Sequence, residues 1–392
     1  MKIADRVTRF TESVIREMTR LSDLHNGINM AQGFPDFDPP QELQEAAIRA
    51  IQGGYNQYSI TWGALPLRQA IAEKVKWYNG IEADPEQEIT VTCGATEAMM
   101  AALIAVLNPG DEVIILEPFY ENYEPGSIIS GARAVFVPLH PPDFSFDREE
   151  LRAAFGPHTK AIVINNPNNP TGKVFTREEL EEIASLCQEF DVLAITDEIY
   201  EHILYDDRQH ISLASLPGMW ERTITINGLS KTYSVTGWRV GYVVAQATLS
   251  DAVRRVHDFL TVAAPSPFQE AGVTALRFPL TYYEELKAAY ARKRQTMLSI
   301  LQQAGFPFYP PQGAYYVLAD ISPFGFSDDF QFAHWLVKEC GVAVVPGTSF
   351  YHHKELGRQL VRFAFPKREE TLQEVGRRLA PLAQRRKSVS TG

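Results

Sequence analysis

Seven short runs of this chain are almost continuously apolar and rich in β-branched residues: 89–93 (ITVTC), 112–116 (EVIIL), 134–138 (AVFVP), 161–165 (AIVIN), 193–196 (LAIT), 223–226 (TITI) and 240–244 (VGYVV). A strand with one face in water alternates apolar and polar side chains. A strand that loses the alternation is covered on both faces. Helical stretches separate most of these runs. Residues 95–107 are rich in Ala, Met and Leu and stop at Asn108-Pro109-Gly110. Thr176-x-x-Glu179 is a capping box for a helix over 178–190, and Asp147 caps one over 148–154. From about residue 45 to 278 the chain therefore reads as α/β, with a mostly parallel seven-stranded sheet flanked by helices.

The texture changes near residue 280. Residues 282–304 form one long charged amphipathic helix; short strands follow at 315–318, 343–345 and 360–365, and a helix over 369–379. This reads as a smaller α+β domain. The extended stretch Phe34-Pro35-Asp36-Phe37-Asp38-Pro39-Pro40 looks like a hinge leading into it. The expected division is a large domain of residues 39–279 and a small domain of 1–38 with 280–392, the former as an N-terminal arm. Residues 384–392 read as a disordered polar tail.

Several function classes are disfavoured. Lys and Arg number 37 against 48 Asp and Glu, a net charge of −11, which argues against non-specific nucleic-acid binding. Cys93, Cys187 and Cys340 lie far apart and form no C-x-x-C, so neither a disulfide framework nor a zinc ribbon is indicated. Gly172-Lys173 fails as a phosphate-binding P-loop, because Pro167 stands where glycine is needed and Val174 replaces the hydroxyl residue. His352-His353 is the one adjacent histidine pair and reads as surface loop. The N-terminus has no apolar signal core and no apolar run reaches 18 residues, so a cytoplasmic protein is expected.

Open α/β sheets bind ligands beyond the carboxyl ends of their strands. Four motifs fall there: Cys93-Gly94-Ala95-Thr96, Asn165-Asn166-Pro167-Asn168-Asn169-Pro170-Thr171-Gly172, Thr196-Asp197-Glu198-Ile199-Tyr200, and Ser230-Lys231 with Gly237-Trp238-Arg239. The first can present backbone N–H groups to an anion at a helix N-terminus. A carboxylate emerging from the core at Asp197 needs a cationic partner. A lysine at a strand end near such an aspartate is a candidate for Schiff-base chemistry.

The ordered set Asn169-Pro170-Thr171-Gly172, Asp197-x-x-Tyr200, Ser230-Lys231, Gly237-Trp238-Arg239 and Arg362 resembles the class I/II, fold-type-I aminotransferases that depend on pyridoxal 5'-phosphate. The resemblance covers nearly the whole chain. Gln32-Gly33-Phe34-Pro35-Asp36-Phe37, Glu117-Pro118-Phe119-Tyr120 and Val256-His257 are closest to the kynurenine/glutamine and methionine aminotransferase subgroup.

The resemblance implies roles. Lys231 is the Schiff-base lysine and proton shuttle, Asp197 the partner of the pyridine nitrogen, and Tyr120 the stacking aromatic. Tyr200 and Asn169 contact the phenolic oxygen. Gly94, Ala95, Thr96, Ser230 and Arg239 hold the phosphate, with Tyr58 arriving from a second subunit of a homodimer. Arg362, Asn169 and the Gly33 backbone bind the substrate α-carboxylate. Asn169–Pro170 and Glu117–Pro118 are expected to be cis.

Two departures stand out. Gly228 replaces a hydroxyl residue three places before the lysine, and Thr261-Val262-Ala263-Ala264-Pro265 replaces an aromatic and a histidine of the kynurenine-type relatives. The second suggests a roomy pocket for methionine-like or aromatic donors. No arginine is assignable from sequence to a distal carboxylate, so an aspartate-type reaction lacks support. The alternatives are a C–S β-lyase outcome on cysteine conjugates and, despite that, an aspartate-type aminotransferase.

Overall fold

The computed structural model describes residues 3–385. The central sheet runs, in spatial order, Ile89–Thr92, Gly241–Ala245, Thr223–Gly228, Leu193–Asp197, Thr159–Asn165, Glu112–Glu117, Arg133–His140 and Ser145–Phe146. All seven expected strands are present. The sheet has an eighth, Ser145–Phe146, which pairs antiparallel with Arg133–His140 through Leu139↔Phe146 and His140↔Ser145. Two residues are too few to carry a recognisable period. The strands from Thr223–Gly228 across to Arg133–His140 are parallel. Gly241–Ala245 is antiparallel to both of its neighbours.

This arrangement positions the site. The carboxyl ends of Ile89–Thr92, Glu112–Glu117, Thr159–Asn165, Leu193–Asp197 and Thr223–Gly228 lie along one edge of the sheet, as does the amino end of Gly241–Ala245. Strand interiors such as Ile114, Ile162, Ile195 and Ile224 are fully buried, which explains the lost alternation. Thr176 makes both bonds of the capping box that opens Arg177–Glu189, and Asp147 accepts from the amides of Glu149 and Glu150.

A second sheet has the order Phe308–Tyr309, Tyr316–Asp320, Leu360–Ala364, Val345–Pro346, all antiparallel. The expected strand over 343–345 is two short ones. Val342–Ala343 pairs in parallel with Ile28–Asn29, whereas Val345–Pro346 pairs with Leu360–Ala364. Residues near the start of the chain are thus stitched to residues more than three hundred positions later. Met18, Met30, Tyr290, Phe306, Phe332 and Phe363 share one buried cluster, which continues into Tyr200 and Tyr205 beside the large sheet. The candidate site lies at that junction.

The long helix spans Leu280–Ala304, starting two residues before the expected position, directly after Pro279. The expected tail lies outside the described residues from position 386. Gln384 and Arg385 belong to a helical turn, with the Arg385 guanidinium 4.5 Å from the Phe326 ring centre. Among the described residues no helix is long and apolar enough to cross a membrane.

Candidate active site

A pocket of about 460 Å³ opens at the junction of the two sheets. It is lined by Gly33, Ala95, Thr96, Tyr120, Asn169, Asp197, Tyr200, Ser230, Lys231, Arg239 and Arg362. Of the sequence-derived set, two residues lie outside this lining. Gly94 caps the helix Ala95–Val106 just behind it. Tyr58 stands away from the pocket of its own chain and is 84% exposed.

Lys231 follows the strand Thr223–Gly228 by three residues and reaches the pocket centre. Its ammonium donates to the Gly33 carbonyl at 3.1 Å and lies 5.9 and 5.8 Å from the ring centres of Tyr200 and Tyr315. Burial, reinforced by the neighbouring Arg239 and opposed by Asp197, brings its pKa down to about 8. A lysine so tuned carries a usable free amine near neutral pH. The Gly33 carbonyl also accepts from the Tyr315 hydroxyl at 2.9 Å, so this residue turns its oxygen toward the lysine.

Asp197 ends the strand Leu193–Asp197. One carboxylate oxygen accepts from the Tyr123 hydroxyl at 2.8 Å and the other from the Ile199 amide at 3.3 Å. Burial pushes its pKa up to about 6, against the pull of these hydrogen bonds and of Lys231. Its backbone is pinned as well: Asn165 Nδ2 and the Asn166 amide donate to the Asp197 carbonyl at 2.9 and 3.0 Å.

Arg362 lies in Leu360–Ala364 and is fully buried. Nη1 donates to Asn169 Oδ1 at 2.8 Å, Nη2 donates to the Ala31 carbonyl, and the guanidinium stacks 4.3 Å from the Tyr316 ring centre. Its Nε is buried without a partner among the described residues. A buried cation with a donor to spare, aimed at a pocket, is arranged for an anion. The Tyr200 hydroxyl, on the same side of the pocket, bonds the Tyr316 hydroxyl at 2.8 Å.

At the opposite end Gly94 takes φ +81°, and a Cβ there would lie 2.3 Å from Arg239 Nη2. The positive φ favours glycine, and any side chain there would have to push the Arg239 guanidinium aside. Arg239 itself adopts φ +55° and donates from Nη1 to the Thr236 carbonyl at 3.0 Å. With the first amides of the helix Ala95–Val106 it forms an anion-binding corner. Behind this corner the buried His257 bonds Glu97 at 3.0 Å through Nδ1 and the Thr61 carbonyl at 3.0 Å through Nε2. That pair ties the helix entry to the segment carrying Tyr58. Both Asn169–Pro170 and Glu117–Pro118 are cis, as are Asn166–Pro167 and Pro141–Pro142.

An anion corner, a lysine with a lowered pKa, a buried carboxylate and a buried arginine share one cavity. The family described as "Aminotransferase class I and II" matches residues 25–379. This chain belongs to that family. The aminotransferase is 40% identical to human kynurenine–oxoglutarate transaminase 1, covering 93% of this chain and 94% of that one. It is 36% identical to the methionine aminotransferase of Escherichia coli, covering 94% and 96%. Among solved structures, N-succinyldiaminopimelate aminotransferase from Mycobacterium tuberculosis superposes with a TM-score of 0.95 at 39% identity, covering 97% of this chain and 100% of that one. The aminotransferase is a pyridoxal-phosphate-dependent enzyme. Its residues fit that group: the corner at Gly94 and Arg239 suits a phosphate, and the buried Asp197 carboxylate suits a protonated ring nitrogen.

Sequence reasoning missed Tyr123, Tyr315 and Tyr316. Their signals were weak, since an aromatic near a strand or helix end is ordinarily core. The spacing Tyr120-x-x-Tyr123, one helical turn after a candidate stacking residue, was the available clue.

Proposed function

We propose that this aminotransferase moves the amino group of a neutral L-amino acid, methionine-like or aromatic, to a 2-oxo acid, with Lys231 as the reacting amine. The observation that carries the reading is the pairing of Lys231, its pKa lowered to about 8, with the buried Arg362 in one pocket. Arg362 and Asn169 hold the substrate α-carboxylate and thereby orient its α-carbon toward the Lys231 amine. Lysine is a poor substitute for Arg362, because the planar fork matches a carboxylate bidentately. The apolar surface of Ile15, Tyr120 and Tyr316 favours an uncharged side chain.

Ala95, Thr96, Ser230 and Arg239 would hold the cofactor phosphate, Tyr120 its ring face, and Asp197 its ring nitrogen. The bound cofactor supplies an electron sink for the bond broken at the α-carbon. Lys231 then carries the proton taken from the α-carbon and returns it at the neighbouring position, acting as base and acid in turn. Tyr200 acts through its bond to Tyr316, which stacks on Arg362, and so couples the two ends of the pocket.

The working unit in this reading is a homodimer, with a second copy covering Tyr58 and the neighbouring apolar residues. Phe259 is 92% exposed, with Leu260 and Val262 beside it. Thr61 and Ser266 bond across to Asp258 and Gln57, so the two segments form one surface. Residues 39–279 and the two flanking segments form the large and small domains, and closure between them excludes water.

A panel of amino acids followed by cofactor absorbance tests the substrate reading. Methionine or an aromatic amino acid should convert the absorbance fastest, and Lys231→Ala should convert nothing. A preference for aspartate, or full turnover by the alanine variant, would overturn it.

A further inference from the structure

Lys231, the phosphate corner and Arg362 account for three sides of the pocket. The fourth is the start of the helix Val14–Leu24. There Ser13, Ile15 and Arg16 face Glu121, the residue after Tyr120. The Ser13 hydroxyl donates to the Glu121 carboxylate and accepts from the Arg16 amide at 3.4 Å. Glu121 therefore fixes the helix start at the pocket rim. Arg16 is exposed, and among the described residues its guanidinium makes no hydrogen bond, ion pair or ring contact. It influences Glu121 only through space, as does Arg362.

Besides Arg239 of the phosphate corner, two arginines line this cavity. Arg362 is buried at the floor and Arg16 is exposed at the rim, and the apolar Ile15 lines the same cavity. The cavity thus offers two cations and an apolar surface besides the phosphate corner. It matches a molecule with two carboxylates joined by methylenes. The Glu121 carboxyl is pushed above its ordinary range by burial, so its negative charge opposes a second carboxylate less than an exposed glutamate would. An exposed arginine also leaves a neutral side chain unpenalised, because water continues to solvate it. A buried unpaired cation would not.

We propose that Arg16 is a specificity-determining residue that takes the distal carboxylate of a dicarboxylic substrate, the acidic partner of the amino-transfer cycle. This rests on the reading of Arg362 as the α-carboxylate site. It gives one pocket two modes. A neutral donor lies on Ile15 and leaves Arg16 in water, whereas a dicarboxylic acceptor spans from Arg362 to Arg16.

The test compares two half-reactions of the holoenzyme, with glutamate and with methionine, each followed by cofactor absorbance. In Arg16→Gln the ratio of kcat/KM for glutamate to that for methionine should fall about 10- to 100-fold, mostly through KM. Arg16→Lys keeps the charge without the fork and should recover part of that ratio. Added salt should depress the wild-type ratio and leave that of Arg16→Gln unmoved. A ratio within threefold of wild type in Arg16→Gln, or Arg16→Lys no better than Arg16→Gln, overturns the proposal. Failure of the wild type to react with either amino acid would instead overturn the reading on which it rests.

Discussion

The Tyr123 hydroxyl donates a 2.8 Å hydrogen bond to the buried carboxylate of Asp197. Asp197 already carries a pKa raised to about 6 by burial, and Tyr123 works against that rise. Tyr123→Phe removes the bond while keeping the ring. The carboxylate then becomes harder to keep ionised, so the acidic limb of the pH–kcat profile moves to higher pH. At pH 7 kcat should fall about 3- to 10-fold. An acidic limb that stays in place would show that Tyr123 only packs.

The Lys231 amine should capture an aldehyde with a midpoint near pH 8, well below that of an exposed lysine at about 10.4. The sign follows from its lowered pKa, since the reactive free amine dominates above it. Unphosphorylated pyridoxal is the suitable probe for the cofactor-free chain, because it makes no use of the phosphate corner. Arg239→Gln removes a neighbouring cation and should shift the midpoint upward. A wild-type midpoint above pH 10 would contradict the electrostatic account of this lysine.

Arg362 donates to Asn169 and stacks on Tyr316. Arg362→Lys keeps the charge and loses the fork. The KM for every amino-acid substrate should rise by about 10- to 100-fold whatever its side chain. Steady-state kinetics with one neutral and one acidic donor separates this uniform loss from the selective loss expected at Arg16.

Beneath the site, Lys74 and Glu201 form an ion pair that is 98% shielded on both sides and shared with Asn79. Removing one partner leaves the other charge buried. Lys74→Met should cost about 3–5 kcal/mol in denaturant unfolding. The double variant Lys74→Met/Glu201→Met should recover a substantial part of that loss. If the single variant is as stable as wild type, the pair has no role in holding the fold.

What the sequence made readable depended on how local each signal was. The five central parallel strands announced themselves because burial on both faces leaves an unbroken apolar run. Lys231 and Asp197 were readable because charged residues at or just past the ends of such strands are costly without a purpose, and Arg362 because it stands between apolar residues in the middle of the strand Leu360–Ala364. Val342–Ala343 and Val345–Pro346 were read as one strand, because only their separate partners distinguish them. The bond between Tyr200 and Tyr316 joins residues 116 positions apart, and no local pattern in either segment indicates the other. Arg16 on an amphipathic helix looks like any solvated arginine until the fold brings it to the pocket rim.

The carbonyl of Gly33 holds Lys231, while Arg362 reaches back to the carbonyl of Ala31. These contacts link an early stretch of the polypeptide to one synthesised much later. At about 5–20 residues per second, a ribosome takes roughly 15 to 65 s to pass from one to the other. During that interval Ile28–Asn29 has no strand to pair with, and the pocket lacks its floor. The pocket is therefore incomplete until translation has carried the chain past Arg362.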